Sequence, residues 1–388
     1  SVSTNSDFND YLRLQAQAFL VCDPMLDAYA DKKWASLQNT PLEYTITREN
    51  YSDEFTETVF ENLELKKLLE DNKIDVISKD YLGARVGIVN KTGTDYILKV
   101  KEYLPKMAEK MPFKEKYSQN ISSGSDIKQT MVDVDLIEVA GDVGAFRAGI
   151  TLAENLPNND KLSFSIGGGR RNVYHRQIRF VTSKDAKEKI QERLDCTLDK
   201  DLHKYYDDKM DHPFTIGHEN GHSLGPNGGC EFLGKYKSII EENKADMVSL
   251  SMLDLLVELG LYSEVEKEKI IVTYAIDNQL KSKPELTQAH RVRSVMQNYY
   301  FIKEKAISIS ESGVLSVNIE KMTQTARKML EEIIEVQLSN DFQKGEKYVL
   351  DNFVWTNEME IMSEKLRKIS KRLNGKTEQK LADYLFNL

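Results

Sequence analysis

Apolar positions along the first fifty residues recur at helical spacing: Phe8, Leu12, Leu14 and Phe19 within Asp7 to Leu20 predict an amphipathic helix. A segment bearing Trp34 follows. Tyr44-Thr45-Ile46-Thr47 then predicts a strand that ends in Arg48-Glu49-Asn50-Tyr51. Residues 54–75 and 95–111 read as helices, with strand-like Val86-Gly87-Ile88-Val89 between them. From about 132 to 182 the texture changes. Val132 to Val139, Ala148 to Leu152 and Val173 to Val181 are β-rich, punctuated by Gly141, Pro157-Asn158-Asn159 and Gly167-Gly168-Gly169, so this block should hold the sheet. Beyond 185 nearly everything reads as charged amphipathic helix, as in Ile319 to Leu338 and Met359 to Leu373. There is no internal repeat and no low-complexity linker.

A chain of 388 residues can bury a substantial core in two or more domains or lobes. A hydrophobic fraction of 40% and a charged fraction of 30% are those of an ordinary soluble globular protein. Lys+Arg 53 against Asp+Glu 62 gives −9, which argues against nucleic acid as the main partner, because phosphate neutralisation needs clustered cations. No uncharged apolar stretch is long enough to span a bilayer. Cys22, Cys196 and Cys230 are too few and too scattered for a disulfide framework or a four-cysteine zinc site; Cys230 lies near the motif described next. The chain begins at Ser1 without a signal-like apolar core, as a processed or trimmed form would. Cytoplasmic residence is the expectation, with export and removal of a signal as the alternative.

Candidate chemistry enters with Thr215-Ile216-Gly217-His218-Glu219-Asn220-Gly221-His222, which contains the HExxH pattern. Helical positions four apart lie only about 40° apart around the axis, so His218 and His222 can grip one ion while Glu219 reaches its water. Gly221 is a poor helix former in this setting. Twenty residues after His222 comes Glu242, within Ile239-Ile240-Glu241-Glu242-Asn243-Lys244-Ala245-Asp246-Met247-Val248. A catalytic zinc takes three protein ligands and keeps a fourth position open, and a Glu on a following helix is one standard third ligand. Asp246, one turn beyond, can accept the free ring N–H of a ligand histidine. The bland alternative is that Glu241, Glu242 and Asp246 form a solvated face. Against it, the apolar neighbours would bury this helix, and buried carboxylates without a cation are costly.

These residues resemble the dipeptidyl peptidase III family of zinc exopeptidases, as a short, divergent member. Glu241-Glu242-Asn243-Lys244-Ala245-Asp246 is similar to that family's Glu-Glu-x-x-Ala-acid motif, in which the second Glu is the zinc ligand. Arg48-Glu49-Asn50-Tyr51-Ser52-Asp53 resembles its Glu-x-Tyr segment, Glu154-Asn155-Leu156-Pro157-Asn158 its Asn-x-Pro-Asn strand end, and Gln288-Ala289-His290-Arg291 its Ala-His segment. The resemblance runs from about residue 48 to 293 and implies one Zn²⁺ per chain held by His218, His222 and Glu242, with Glu241 and Asp246 behind the histidines. It further implies Glu219 as general base, Tyr51 and His290 as partners of the transition state, and Glu49, Asn155 and Asn158 as holders of a peptide's N-terminal part. It implies an α+β architecture of two lobes, a mainly helical zinc lobe and a smaller lobe containing a β-barrel, with the active-site cleft between them. The expected boundaries are 1–56 with 132–182 for the β-rich lobe and 57–131 with 183–388 for the helical lobe. The family's motif has six residues where this chain has five, the segment between the zinc helices is shorter than usual, and the long N-terminal region has little counterpart. Those regions shape the cleft, so strict release of dipeptides does not follow from the motifs.

Each of these residues has a plainer reading. Tyr51 fits a strand-end aromatic, Asn155 and Asn158 flank Pro157 in a turn-forming context, and His290 fits a polar helix surface. His175, His203 and His212 have no partner pattern and read as structural. Gly167-Gly168-Gly169-Arg170-Arg171 lacks the ending of a phosphate loop and reads as a hairpin turn. The leading expectation is a zinc metallopeptidase hydrolysing bonds near the N-terminus of short peptides. Its rivals are a zinc hydrolase of a non-peptide amide, ester or lactone, a catalytically silent zinc-stabilised binding protein, and an endopeptidase of the thermolysin type.

Overall fold

The computed structural model describes residues 4–21, 23–37, 40–51, 63–72, 79–119, 131–140, 153–156, 165–167, 171–176, 184–226 and 230–386. The chain is α+β and divides into two compact units, Ser1–Leu98 with Ile127–Ile178, and Lys99–Asp126 with Arg179–Leu388. The first carries a sheet; the second is larger and mainly helical.

In the first unit, helices α1 (Ser6–Val21) and α2 (Pro24–Ala35) precede strand β1 (Leu42–Tyr51). Pro24 suits the first turn of α2, where its missing N–H is not needed, and the Asp23 carboxylate accepts from the Met25 N–H. Helix α3 (Leu63–Asp71), strand β2 (Lys79–Val89) and helix α4 (Lys91–Glu102) follow, then strands β3 (Met131–Ala140), β4 (Ala153–Leu156) and β5 (Arg171–His175). The sheet has the order β1-β2-β3-β5-β4. Its β3–β5 pair is parallel and its other pairs are antiparallel. Leu42 stands opposite Ile88 and Tyr51 opposite Lys79. The β2–β3 register shifts between Val86 and Gly87. A Cβ on Gly87 would lie 2.9 Å from the Val134 Cβ, so the bulged strand approaches its neighbour more closely than a side chain allows.

Tyr11, Ala30, Trp34, Ala35, Leu37, Val132, Val134 and Val173 form the core between the helices and the sheet. An ion pair lies beside it. The Arg171 guanidinium meets Glu43 Oε2 at 2.8 Å and donates to the Leu37 carbonyl at 2.8 Å, and Trp34 Nε1 donates to Glu43 Oε1 at 2.6 Å. Both charges are thus paired and hydrogen-bonded, the condition under which such burial is tolerated.

The second unit continues with α5 (Leu104–Glu109), α6 (Lys184–Thr197), α7 (Asp211–His222), α8 (Lys237–Ser251), α9 (Leu253–Glu258), α10 (Glu264–Asp277) and α11 (Ala289–Lys303). A hairpin of β6 (Ile307–Ile309) and β7 (Leu315–Val317) then leads to α12 (Ile319–Leu338), α13 (Phe342–Asn352) and α14 (Asn357–Phe386). Helix α8 is the hub: it packs on α7, α11 and α12 and buries Ile239, Ile240 and Asn243 through Leu250.

Several expectations need correction. Residues 63–98 belong with the sheet-bearing unit, not with the helical one, because β2 fills the place between β1 and β3. The expected barrel is an open run of strands among the described residues, with β1 and β4 at its edges. The helix expected over 95–111 is two helices, broken at Tyr103 ahead of Pro105. The strand expected over 86–89 starts at Lys79, and the helix expected over 54–75 is described only as α3. The β6–β7 hairpin interrupts a region expected to be helical. The expected strand Ala148 to Leu152 lies outside the described residues, as does most of Gly167 to Arg170, although Gly167 itself has the positive φ of a turn glycine, +67°.

Candidate metal centre

Helix α7 runs regularly through His218 and His222 and ends at Ser223, whose backbone N–H donates to the Asn220 and Gly221 carbonyls. It lies against α8 at very short range because two glycines face that helix. A Cβ on Gly221 would lie 2.8 Å from the Ala245 carbonyl oxygen and 2.9 Å from its Cα, and one on Gly217 would collide with Ser249 Oγ. The Ser249 hydroxyl also donates to the Phe214 carbonyl at 2.9 Å, tying the helices together. The spacing of small residues thus sets the distance between the motif on α7 and the carboxylates on α8.

The two helices bring His218, His222 and Glu242 together, with their ligand atoms all within 4.8 Å of one another. The two Nε2 atoms are 3.2 Å apart, and the Glu242 oxygens lie 3.3 Å from His218 Nε2 and 3.9 Å from His222 Nε2. Each ring's other nitrogen faces a carboxylate: His218 Nδ1 is 2.7 Å from Asp246 Oδ1 and His222 Nδ1 is 3.1 Å from Glu241 Oε1. With the Nδ1 protons directed to those acceptors, both Nε2 lone pairs point into one small space. Lone pairs facing each other at that range need a cation. Two nitrogens on one zinc ion, bonded at about 2.0–2.1 Å in tetrahedral geometry, sit about 3.3 Å apart. Glu242 Oε2 is buried without a hydrogen bond despite its nearness to His218 and His290. The donor set and its spacing therefore fit a divalent ion with a preference for nitrogen and oxygen.

A further layer holds these carboxylates. On one arm, Lys244 Nζ lies 2.9 Å from Glu241 Oε1, and Gln337 Nε2 on α12 donates to Glu241 Oε2 at 3.1 Å. Burial pushes the Glu241 carboxyl up, but Lys244 and then His222 outweigh it and hold it at about 2. On the other arm, Arg293 on α11 pairs with Asp246 Oδ2, which also accepts from Gln297 Nε2 at 3.0 Å. Gln297 is in turn fixed by Asn243 Oδ1, the Tyr274 hydroxyl and Asn278 Nδ2. Burial tends to raise the Glu242 carboxyl, yet His218 and His290 pull it far below the ordinary range. His290 Nδ1 is 3.2 Å from Glu242 Oε2, and that contact, against a smaller opposing effect of burial, raises the His290 pKa.

Glu219 is partly exposed, next in sequence to His218 on α7, and near enough for its charge to act on His290. Among the described residues it forms no hydrogen bond or ion pair, so its carboxylate is free. The other residues singled out from the sequence lie in the first unit. Glu49 and Tyr51 sit on β1 opposite Tyr81 and Lys79, and Asn155 sits on β4 opposite Asn172. Asn158 lies outside the described residues. Cys230 is buried against the Pro226 carbonyl, His203 is tied to the Leu198 carbonyl at 3.1 Å, and His175 is buried in β5.

Sequence reasoning did not pick out Lys244, Arg293, Gln297 or Gln337. Lys244 carried a signal: it lies among Asn243, Ala245, Asp246 and Met247 on a helix read as buried, where a lysine requires a partner. Arg293 and Gln297 follow His290 at three and seven residues, on the same helix face.

The folds of two solved structures match this one. The structure of dipeptidyl peptidase III from Caldithrix abyssi superposes with a TM-score of 0.74 at 22% identity, covering 96% of this chain and 68% of that one. The dipeptidyl-peptidase III structure from Corallococcus sp. strain EGB gives 0.72 at 20% identity, covering 94% and 64%. The chain therefore has the dipeptidyl peptidase III fold, a peptidase-like architecture. In sequence it is 26% identical over 271 residues to "Nudix hydrolase 3" of Arabidopsis thaliana, a match spanning 66% of this chain but 33% of that protein. The chain thus spans about a third of the length of this curated relative. No family model matches. No helix among the described residues is long and apolar enough to cross a membrane.

Proposed function

We propose that the chain is a zinc-dependent metallopeptidase that hydrolyses bonds near the N-terminus of short peptides. The observation that carries this reading is the convergence of His218 Nε2, His222 Nε2 and a buried, otherwise unbonded Glu242 oxygen on one space, with Glu219 next to His218 in no hydrogen bond or ion pair among the described residues. His218, His222 and Glu242 would hold the ion, which when bound supplies Lewis acidity and a water acidified towards neutrality. Glu219 accepts the proton of the attacking water and returns it to the leaving amine. His290 is 70% exposed at its side chain and lies beside Glu242, with Nδ1 3.2 Å from Oε2, so its ring can donate to the oxyanion of the tetrahedral intermediate. The likeness to dipeptidyl peptidase III supports corresponding roles for Tyr51 at the oxyanion and for Glu49, Asn155 and Asn158 at the peptide's N-terminal part.

Glu219→Gln should leave zinc content unchanged and reduce turnover on dipeptidyl chromogenic substrates by about 10²–10⁴-fold. Residual activity within a few-fold of the parent in zinc-loaded protein removes Glu219 from this role. A substrate panel separates the readings: dipeptidyl arylamides should be cleaved, while aryl esters, lactones and nucleoside diphosphate derivatives should not. Turnover of one of the latter instead would keep the metal chemistry and replace the substrate. The Nudix name belongs to a protein two-thirds of which lies outside the match, so it weighs little for this site.

A further inference from the structure

Lys244 is buried, with its side chain 1% exposed, and Glu241 is its ion-pair partner among the described residues. A lysine taken out of water loses its hydration, so its charge needs a partner close by. Gly225, at φ +93°, closes over the lysine stem: a Cβ there would lie 3.3 Å from Lys244 Cδ and 3.2 Å from Ile334 Cδ1. The ammonium lies 2.9 Å from Glu241 Oε1 as an ion pair without hydrogen-bond alignment, and that oxygen also faces His222 Nδ1 at 3.1 Å, while Gln337 donates to Oε2.

We infer that Lys244 is a positioning residue for the metal centre, acting through Glu241 to fix the tautomer and ring orientation of His222. This rests on the metal reading of the same site. With the ammonium in place, Glu241 is held as an anion in one rotamer, accepts the His222 Nδ1 proton, and leaves the Nε2 lone pair turned towards His218 and Glu242. Without it, Glu241 is a half-buried carboxylate that keeps only Gln337 and His222 as side-chain partners among the described residues. It can then turn away, and His222 loses the contact that selects its ligating tautomer. Carboxylates and cations alternate behind the histidines: Lys244 faces Glu241, and Arg293 faces Asp246.

The test is a double-mutant cycle on zinc affinity, read by chelator competition, with the d–d absorption of the cobalt-substituted protein as a geometric readout. Lys244→Met should weaken zinc binding about 10–100-fold and alter the cobalt spectrum. In the Glu241→Gln background the same substitution should cost less than about threefold, because Lys244 acts only through that carboxylate. Equal losses in both backgrounds, or affinity and spectrum unchanged in Lys244→Met, would overturn the inference. If Lys244→Met does not fold, Gln337→Met reads the same carboxylate from its other oxygen. It should weaken zinc binding in the parent and not in Glu241→Gln, and equal effects again count against Lys244. Glu242→Ala separates this failure from failure of the site reading. Loss of zinc in Glu242→Ala alongside unchanged Lys244→Met refutes only the positioning role, whereas zinc retained by Glu242→Ala refutes the metal centre itself.

Discussion

A carboxyl group partly enclosed by apolar side chains is stable as the acid unless a cation meets it. Asp31, one turn after Asp27 on α2, forms no ion pair among the described residues, and burial followed by the nearby Asp27 charge pushes its pKa up from 3.8 to about 7. A raised pKa means that the folded state binds the proton more tightly than the unfolded chain. The resulting stability is complete below about pH 3.8 and is lost as pH rises to about 7. Asp31→Asn, which mimics the neutral form, should therefore be more stable than the parent at pH 8, by at most about 4 kcal/mol, and little different at pH 4. Urea midpoints followed by Trp34 fluorescence at both values test this; a gain of the same size at the two pH values would rule the mechanism out. At this scale the sequence was most readable where chemistry is local. His218, Glu219 and His222 follow from helix geometry within five residues, and Glu241, Glu242 and Asp246 from a short stretch of α8. Arg293, 47 residues from Asp246, and Gln337, 96 residues from Glu241, meet their carboxylates only through tertiary packing, which no spacing rule encodes.

Between elements, the distance from α7 to α8 decides whether the ligands converge. Gly221 lies one turn after Gly217, and the atoms its Cβ would strike are the α8 backbone at Ala245, which cannot turn aside as a side chain can. Gly221→Ala gains about 1 kcal/mol of helix propensity and loses about 1–3 kcal/mol to the overlap, so the overlap should win. Because Gly221 adjoins His222 and Ala245 lies between Glu242 and Asp246, the same separation should lower zinc affinity at least tenfold. Parallel measurements of melting temperature and zinc affinity check this, and a variant as stable and as tight-binding as the parent would show that the helices have room to spare. Gly221 looked like a defect in a helix when read from propensity alone; its packing use appears only with its neighbour in place. The long amphipathic helices were legible because many turns repeat one pattern, as α12 shows with Met322, Met329, Ile333 and Ile334 buried on one side. The three-residue strands β6 and β7 offer too few positions to show an alternation, and β2 begins with Lys79-Asp80-Tyr81-Leu82-Gly83, a stretch paired with β1 whose own residues give little strand signal.

The molecule's two units divide its two tryptophans, with Trp34 buried in the sheet-bearing unit beside Glu43 and Trp355 in the helical unit donating to Glu360. His218, His222 and Glu242 all belong to the helical unit, so the free energy of metal binding should enter the unfolding of that unit. Free zinc at about a thousand times its dissociation constant stabilises the binding-competent state by about 4 kcal/mol. For a unit of this size that corresponds to roughly 10 °C in melting temperature. Trp34→Phe leaves Trp355 as the reporter, and Trp355→Phe leaves Trp34. Chelation should lower the midpoint seen by Trp355 by roughly 10 °C and move that seen by Trp34 by much less. Glu242→Ala should give the lowered Trp355 midpoint without chelator and no further change on its addition. A chelator response of equal size at both tryptophans would mean that the units unfold as one. No response at Trp355 would mean that the paired imidazoles do not hold an ion that stabilises the fold.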